Sequence, residues 1–211
     1  MTRSTRLPRL FLTCVLALAS LILASSFSPQ EVSANDNTTF CKWGFPWPRT
    51  PLFYIDLGSF TVNQAYAIQY GGESWYAANA NLWFDRTYGT TRDGEIYRGP
   101  VNAGNTAQTG TTTIDCNVDQ GRPIVWAYTV YDETGRFYED CLAVGQQWCI
   151  DNEYYDLHNI STHEFGHWFY MTHTYSSSDS SMSTFSDWGE VYKRDINSYD
   201  VQSAQIMYGS R

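Results

Sequence analysis

The stretch HEFGHWFYMTH, residues 163–173, contains three of the four histidines in the chain. In a helix, His163 and His167 lie one turn apart on the same face, with Cβ atoms roughly 5 to 6 Å apart. Two imidazoles in this arrangement can bind one metal ion, with each nitrogen at about 2.0 to 2.1 Å from it. A helix that ends soon after His167 lets the chain turn back, so that His173 supplies a third nitrogen. The spacing therefore predicts a metal site of three histidines.

Glu164 is the candidate base beside this site. It lies about 100° around the helix from His163, which is unsuitable for a third ligand but places its carboxylate over a bound water molecule. Three neutral nitrogens leave a Zn²⁺ ion one open position, where the pKa of a water molecule falls towards roughly 7. Chance produces H-E-x-x-H on the order of once in a few hundred such chains, and the third histidine lowers this frequency by another factor of about fifty. The pattern therefore favours a metal site over ordinary helix residues.

Hydrophobic periodicity predicts helices on both sides of the chain's centre. They are predicted to begin after Thr61, after Asp156 and near Ser198, with Gly209 ending the last one. Gly71, in the middle of the first helix, costs about 1 kcal/mol relative to alanine, as does its neighbour Gly72.

Strands are predicted where β-branched and aromatic residues alternate or run together. The predicted strands are Pro51–Gly58, Leu82–Tyr88, Pro123–Asp132 and Arg136–Val144. The turn Asp132–Gly135 joins the last two of these as a hairpin. Residues 89–123 show neither period and are predicted to form a long loop.

The N-terminal residues have the pattern of a secretory signal peptide, because three arginines precede an uncharged apolar run at residues 10–24. We expect residues 1–34 to be this signal, with cleavage after Ala34 or as early as Ala24, and residues 35–211 to form one domain. The run is shorter than the roughly 20 residues that span a membrane. The expected product is a secreted monomer without a membrane anchor.

Four cysteines follow the signal: Cys41, Cys116, Cys141 and Cys149. An even number in an exported chain favours two disulfides, for which three pairings are possible. We favour Cys141 with Cys149 across a short loop, and Cys41 with Cys116 to hold the N-terminal end. The chain contains no C-x-x-C pair, which disfavours a cysteine-based zinc site.

The formal net charge of −9 argues against a nucleic-acid partner, because such binding depends on Lys and Arg that neutralise phosphates. The same charge offers no attraction to an anionic membrane. Acidic clusters at Asp93–Glu95 and Asp132–Glu133 are candidate structural Ca²⁺ ligands, although solvated turns explain them equally well.

The chain resembles the metzincin zinc endopeptidases, and in particular their matrixin-like secreted bacterial branch. The segments that carry the resemblance are the strand and helix at residues 51–79, WAYTVYDETGRFYED, YDLHNISTHEFGH and YDVQSAQIMYGSR. The resemblance implies an α+β fold, with a twisted mixed β-sheet, an N-terminal helix, an active-site helix and a short C-terminal helix in one zinc metallopeptidase catalytic domain.

The resemblance also assigns roles to individual residues. It implies that His163, His167 and His173 bind zinc and that Glu164 is the general base. It further implies that the strand Arg136–Val144 is the sheet edge along which an extended polypeptide substrate pairs.

The family also places a methionine in a tight turn beneath the metal, and Met182 is favoured for this Met-turn. The competing Met207 lies inside the predicted C-terminal helix, whereas Met182 lies in a serine-rich loop nine residues after His173. The resemblance then implies that residues 183–188 form a wall of the pocket for the substrate side chain just past the cleaved bond. Either methionine could instead be a core residue.

The sequence departs from the family pattern in two places. Tyr170 occupies the position, three residues after His167, where members usually carry a glycine in a left-handed conformation, which costs another residue about 1 to 2 kcal/mol. In addition, no propeptide with a latency cysteine is recognisable, because Cys41 lies in FCKWGF, which does not match that element.

Three other interpretations remain open at this level. In the first, the chain is a zinc peptidase whose third ligand is acidic, with Glu190 as a candidate, because Tyr170 disrupts the turn. In the second, it is an exported zinc-binding or adhesion module that kept the ligands but lost turnover. In the third, the histidines bind no metal and the helix is purely structural. His158 is predicted to have a surface or capping role.

Overall fold

The apolar run Pro123–Asp132 forms the strand on which the main sheet is built. In the computed structural model, which describes residues 41–44, 50–101, 109–116, 123–174, 180–184 and 186–211, this run is β6, and its bounds match the prediction. The other strands of this sheet are β1 (Lys42–Trp43), β2 (Leu52–Ile55), β3 (Asp85–Thr87), β4 (Gly94–Gly99) and β5 (Gly110–Cys116).

The sheet is mixed. The strand order β1-β6-β4-β2-β3 is made entirely of parallel pairs, whereas β5 pairs with β6 in the antiparallel direction. A mixed sheet combined with helices agrees with the α-helix and mixed-sheet content of the predicted α+β fold. All of the described residues belong to one compact unit.

Five α-helices are present among the described residues. They are α1 (Val62–Ser74), α2 (Cys141–Val144), α3 (Gln146–Asp151), α4 (Leu157–Trp168) and α5 (Ser198–Tyr208), with short 3₁₀ helices at Trp75–Ala78 and Tyr192–Arg194. Helices α1, α4 and α5 confirm the three predicted ones. None of the helices in these residues is long and apolar enough to cross a membrane.

Helix α1 packs closely against α4. Thr61 caps α1 as predicted, in a reciprocal capping box with Gln64. At Gly71 a Cβ atom would lie 2.7 Å from the backbone nitrogen of Thr162, so only glycine permits this approach. The glycine that weakens the isolated helix therefore allows α1 to lie against the helix that carries the histidines.

Aromatic rings fill the space between the sheet and α4. The rings of Phe53 on β2 and Phe165 on α4 lie 4.9 Å apart, and those of Phe84 and Trp168 lie 5.5 Å apart. All four side chains are almost completely buried. Burial of such side chains contributes about 1.5 to 3 kcal/mol each relative to exposure, so α4 is held firmly on the sheet.

One loop prediction and one strand prediction are wrong. Residues 89–123 contain β4 and β5, rather than only a loop. The predicted strand Arg136–Val144 contains only the two-residue strand β7 (Phe137–Tyr138), which pairs in parallel with β8 (Tyr155–Asp156) in a separate small sheet.

A local capping interaction explains the second error. The Asp140 carboxylate accepts hydrogen bonds from the backbone N–H groups of Leu142 and Ala143. This N-cap starts α2 where the alternating pattern had predicted that the strand continues. The DETG turn is present, but it does not join two antiparallel strands.

Both predicted disulfides are confirmed, Cys41–Cys116 and Cys141–Cys149, with Cα–Cα distances of 6.0 and 5.9 Å. The first ties the end of β5 to the start of β1, and the second joins α2 to α3. The predicted signal peptide lies outside the described residues.

Candidate metal centre

Helix α4 begins at the capping residue that the sequence predicts. The Asp156 carboxylate accepts a hydrogen bond of 2.8 Å from the Asn159 backbone N–H. The buried Arg194 forms an ion pair with the same carboxylate. Asp156 also accepts a hydrogen bond from the backbone N–H of Cys141, so the start of α4 is tied to the disulfide-linked helices α2 and α3.

The end of α4 is a sharp left-handed turn at Tyr170. The backbone N–H of Tyr170 donates to the carbonyl of His167 at 2.7 Å, and that of Met171 donates to the carbonyl of Gly166 at 3.1 Å. These two bonds form a Schellman motif, with Tyr170 at its left-handed position (φ +67°). The chain therefore turns back directly after His167, even though the position carries no glycine.

This turn brings the three histidines together. The Nε2 atom of His173 lies 3.1 Å from Nε2 of His163 and 3.2 Å from Nε2 of His167. Three nitrogens that bind one tetrahedral ion at about 2.0 to 2.1 Å are expected to lie about 3.3 to 3.4 Å apart. Among the described residues, these histidines are the one group of three or more His, Cys, Asp or Glu close enough to hold a metal ion.

Backbone carbonyls determine which nitrogen of two histidines carries the proton. Nδ1 of His163 lies 2.7 Å from the carbonyl oxygen of Ser181, and Nδ1 of His167 lies 2.7 Å from that of Met171. A carbonyl oxygen only accepts, so each Nδ1 must be protonated and each Nε2 must present a lone pair. Nε2 of His173 carries at most one proton, which can bond to only one of these two lone pairs. A metal ion, in contrast, can accept a lone pair from all three nitrogens.

The environment keeps the imidazoles neutral, as metal ligands must be. Burial is the largest cause that lowers the pKa of His163 well below its usual value, followed by the neighbouring His167. Burial also lowers the pKa of His167 and of the more exposed His173. The donor set therefore fits a divalent ion such as zinc.

Met182 lies directly under the histidine-bearing helix. It is 2% exposed, and a side chain at Gly166 would overlap its sulfur atom. Its backbone carbonyl accepts a hydrogen bond of 2.9 Å from Thr174, the residue after His173. Met207 instead lies in α5, half-buried at the edge of the core. Of the two candidates, Met182 is therefore the one that lies in a turn beside the three histidines.

The turn that contains Met182 is held by the C-terminal helix. The buried Asp200 of α5 accepts hydrogen bonds from Ser180 Oγ at 2.7 Å and from the Ser181 backbone N–H at 2.9 Å. Ser181 in turn supplies the carbonyl that contacts His163. Asp200 is therefore linked to the candidate metal ligand through one intervening residue. No local sequence pattern predicts this connection, because Asp200 is 19 residues from Ser181 along the chain.

Glu164 is buried beside the histidines. Its Oε2 atom accepts a hydrogen bond of 2.6 Å from the hydroxyl of Thr112 on β5. Burial raises the pKa of Glu164 to about 7, although the Thr112 hydrogen bond and the charge of Lys193 act in the opposite direction. The protonated and ionised forms of this carboxyl group are therefore similarly populated near neutral pH, so that it can either accept or donate a proton.

A cleft of about 930 Å³ contains the three histidines and Glu164. The N-terminal half of β5 lines one side of it, and Tyr155, Ile160 and residues 184, 186 and 187 are also in its lining. The predicted substrate edge, Arg136–Val144, is absent from the lining. Strand β5 therefore lines the cleft and the later segment does not. Of the predicted wall at residues 183–188, Thr184, Ser186 and Asp187 line the cleft.

The remaining candidates have other contacts. Glu190 forms an ion pair of 3.3 Å with the buried Lys193 and accepts from the side chain of Asn159, so it does not join the histidines. His158 lies against α1, with Nε2 3.1 Å from Ser74 Oγ. Of the acidic clusters, Asp93 accepts from the Leu52 backbone N–H and Asp132 from Thr134 within its own turn.

The arrangement combines a tridentate nitrogen site, a buried carboxyl group and a strand edge in one cleft. With a divalent ion held by the histidines, such a combination could polarise a carbonyl group and transfer a proton beside it. Comparison of the sequence with protein-family models and with curated proteins finds no match. The functional assignment therefore depends on the residues of this cleft.

Proposed function

We propose that the chain is a secreted zinc-dependent endopeptidase of the metzincin type. The observation that carries this proposal is the convergence of three histidine Nε2 atoms, two of them with their lone pairs aligned by backbone carbonyls, next to a buried glutamate. His163, His167 and His173 would hold the zinc ion. When bound, zinc supplies Lewis-acid polarisation of a carbonyl group and of a water molecule.

Glu164 carries out the proton transfers in this proposal. Its carboxylate takes a proton from the attacking water and then delivers this proton to the nitrogen of the departing amine. Its Oε1 atom lies beside Gly110, where a Cβ atom would approach to 2.8 Å. A glycine at this position leaves the second carboxylate oxygen room to face a substrate.

The proposed substrate is a polypeptide in an extended conformation. Strand β5 is hydrogen-bonded to β6 on one side, and no other strand of the described ranges pairs with it. An extended peptide can add to such an edge through backbone hydrogen bonds. This pairing would lay the scissile bond across the histidines and Glu164, because β5 lines the same cleft.

Secretion is supported by two features. Residues 1–34 have the signal pattern, and the two disulfides are typical of chains that fold in an oxidising compartment. We propose that the secreted chain acts as a monomer and that its partner is a polypeptide rather than a nucleic acid.

Metal analysis combined with digestion of a peptide library tests the proposal. The purified chain should hold zinc and cleave peptides, and a chelator should abolish cleavage. Glu164→Gln should lose cleavage but keep the metal, whereas the matched variant Glu133→Gln, at an exposed turn residue, should behave like the wild type.

Cleavage that survives Glu164→Gln would overturn the proposal. A chain that holds zinc but cleaves nothing in the library would instead favour the exported zinc-binding module. The acidic-ligand alternative is disfavoured because Glu190 already pairs with Lys193.

A further inference from the structure

Four residues from three elements form a hydrogen-bonded group behind Glu164. Glu164 and Trp168 are four residues apart on α4, so their side chains lie on one face of the helix. Thr112 on β5 and Thr129 on β6 are directly opposite each other in the antiparallel pair, which places their side chains on the same face of the sheet. The two pairs face each other across the interface between α4 and the sheet.

While Glu164 is an ionised carboxylate, as it must be to accept a proton, the hydrogen bonds in this group run in one direction. The indole Nε1–H of Trp168 donates to Thr129 Oγ1 at 2.9 Å, and an indole nitrogen can only donate. Thr112 Oγ1 donates to Glu164 Oε2 at 2.6 Å, a length typical of hydroxyl bonds to a carboxylate. The two hydroxyl oxygens are 2.7 Å apart. Because Thr112 has already used its proton, Thr129 must donate to Thr112.

The result is a relay from Trp168 through Thr129 and Thr112 to Glu164. Trp168 and Thr129 are completely buried, so water cannot replace either partner. Each hydroxyl accepts from the group behind it and donates to the group in front of it. The Thr112 hydroxyl is thereby oriented before any ligand arrives.

We propose that Thr112 is a positioning residue that fixes the Glu164 carboxylate for proton transfer, with Thr129 and Trp168 orienting its hydroxyl; this inference rests on the proposed peptidase function. Holding Oε2 leaves Oε1 for the reacting water and amine. Strand β5 is proposed to pair with the substrate and, through Thr112, to hold the Glu164 carboxylate. The position of this strand therefore aligns the base with the substrate.

A purely structural role for these hydroxyls makes a different prediction. If Thr112 and Thr129 only satisfied the buried indole, removal of the Thr112 hydroxyl would lower stability without a specific effect on turnover. If Thr112 positions the base, its removal lowers kcat while KM and zinc content stay close to the wild type, because neither the substrate edge nor the histidines change.

The test compares Thr112→Val, Thr112→Ser and a matched control, Thr91→Val. Valine keeps the shape of threonine, and Thr91 is an exposed residue between β3 and β4 that does not line the cleft. We expect Thr112→Val to lower kcat by about 10- to 100-fold, the range for a lost hydrogen bond to a charged group. Thr112→Ser should recover most of this loss, and Thr91→Val should match the wild type.

Nitrogen-15 NMR of the Trp168 indole provides a readout that does not depend on activity. The indole N–H resonance should shift in Thr112→Val and in Glu164→Gln, because both changes alter the far end of the relay, but not in Thr91→Val. An unmoved resonance, or a Thr112→Val enzyme as fast as Thr91→Val, would overturn the inference. So would a serine variant no faster than the valine variant.

These outcomes separate the inference from the function on which it rests. A wild-type chain that cleaves nothing, with an indole resonance that still responds to Glu164→Gln, would remove the peptidase proposal and leave the positioning of Glu164 in place. An active wild type that Thr112→Val does not slow would remove the positioning role alone.

Discussion

The Nδ1 atom of His163 lies 2.7 Å from the carbonyl oxygen of Ser181, eighteen residues further along the chain. This contact determines the tautomer of a candidate metal ligand. Asp200 accepts a hydrogen bond from the backbone N–H of Ser181 and so fixes the residue whose carbonyl makes the contact. The metal site therefore depends on the C-terminal helix as well as on the helix that carries the histidines.

Replacement of Asp200 should weaken metal binding without removing a ligand. In Asp200→Asn, the buried acceptors for Ser180 and Ser181 are weakened, so the carbonyl that aligns His163 becomes less ordered. Loss of such supporting partners typically costs about 10- to 100-fold in metal affinity. Zinc affinity measured by chelator competition should fall by this factor. The exposed Asp195→Asn is the control, and equal affinities for the two variants would contradict the prediction.

At position 170 a glycine variant should be more stable than an alanine variant, which is the opposite of the order found inside a helix. Its φ of +67° strains any residue with a Cβ atom, so Tyr170→Gly should be more stable than Tyr170→Ala by about 1 kcal/mol. Within α1, at Ala67, glycine should instead be less stable than alanine by about 1 kcal/mol. Urea unfolding of the Tyr170 pair, and of Ala67→Gly beside the wild type, measures both differences. A glycine variant at position 170 less stable than the alanine variant would show that the turn is not strained.

Gly110 should tolerate no side chain if Glu164 transfers the proton. A Cβ atom at Gly110 would lie 2.8 Å from Glu164 Oε1, so Gly110→Ala should displace the carboxylate and lower kcat by at least about tenfold with zinc retained. Gly89→Ala is the matched control, because only Thr87 Oγ1 lies near its Cβ position, at 3.7 Å. Equal turnover by the two variants would contradict the role given to Oε1.

His158 should make the fold less stable in acid. Burial, followed by the charge of Arg194, lowers its pKa from 6.5 to about 4, although Asp140 and Asp195 act in the opposite direction. The unfolded chain therefore takes up a proton near pH 6.5 that the folded chain does not accept until about pH 4. The stability contributed by neutral His158 is complete above pH 6.5 and is lost as the pH falls towards 4, amounting to roughly 2 to 3 kcal/mol.

The comparison of the wild type with His158→Gln isolates this effect. Between pH 7 and pH 4.5, the unfolding free energy of the wild type should fall more steeply than that of the variant, which has no titrating group at this position. Parallel curves would contradict the lowered pKa. The variant should keep its zinc, since His158 lies against Ser74 rather than in the metal site.

The parts of the fold that the sequence predicted correctly are set by short-range chemistry. The capping of α4 by Asp156, the four-residue spacing of His163 and His167 and the short disulfide Cys141–Cys149 involve residues close together in the chain. Local propensity is sufficient for such features. The left-handed turn at Tyr170 was also predictable, because a third ligand at His173 requires the helix to end there.

The error at residues 89–123 arose where pairing with another strand outweighs the local pattern. Strand β5, with the sequence GTTTIDC, is half-exposed and lacks an alternating apolar pattern, and only its partner β6 makes it a strand. Its three consecutive threonines were the available signal, because β-branched residues favour strands. The contact between Thr112 and Glu164 joins residues 52 apart, so no local pattern predicts it.

X-ray absorption at the zinc edge tests the central claim most directly, because it reports the ligands of the ion itself. The wild-type chain should show three imidazole nitrogens at about 2.0 to 2.1 Å together with a light-atom ligand from solvent, and His173→Gln should lose one imidazole contribution while His158→Gln loses none. An absence of bound zinc, or an unchanged imidazole contribution in His173→Gln, would contradict the account.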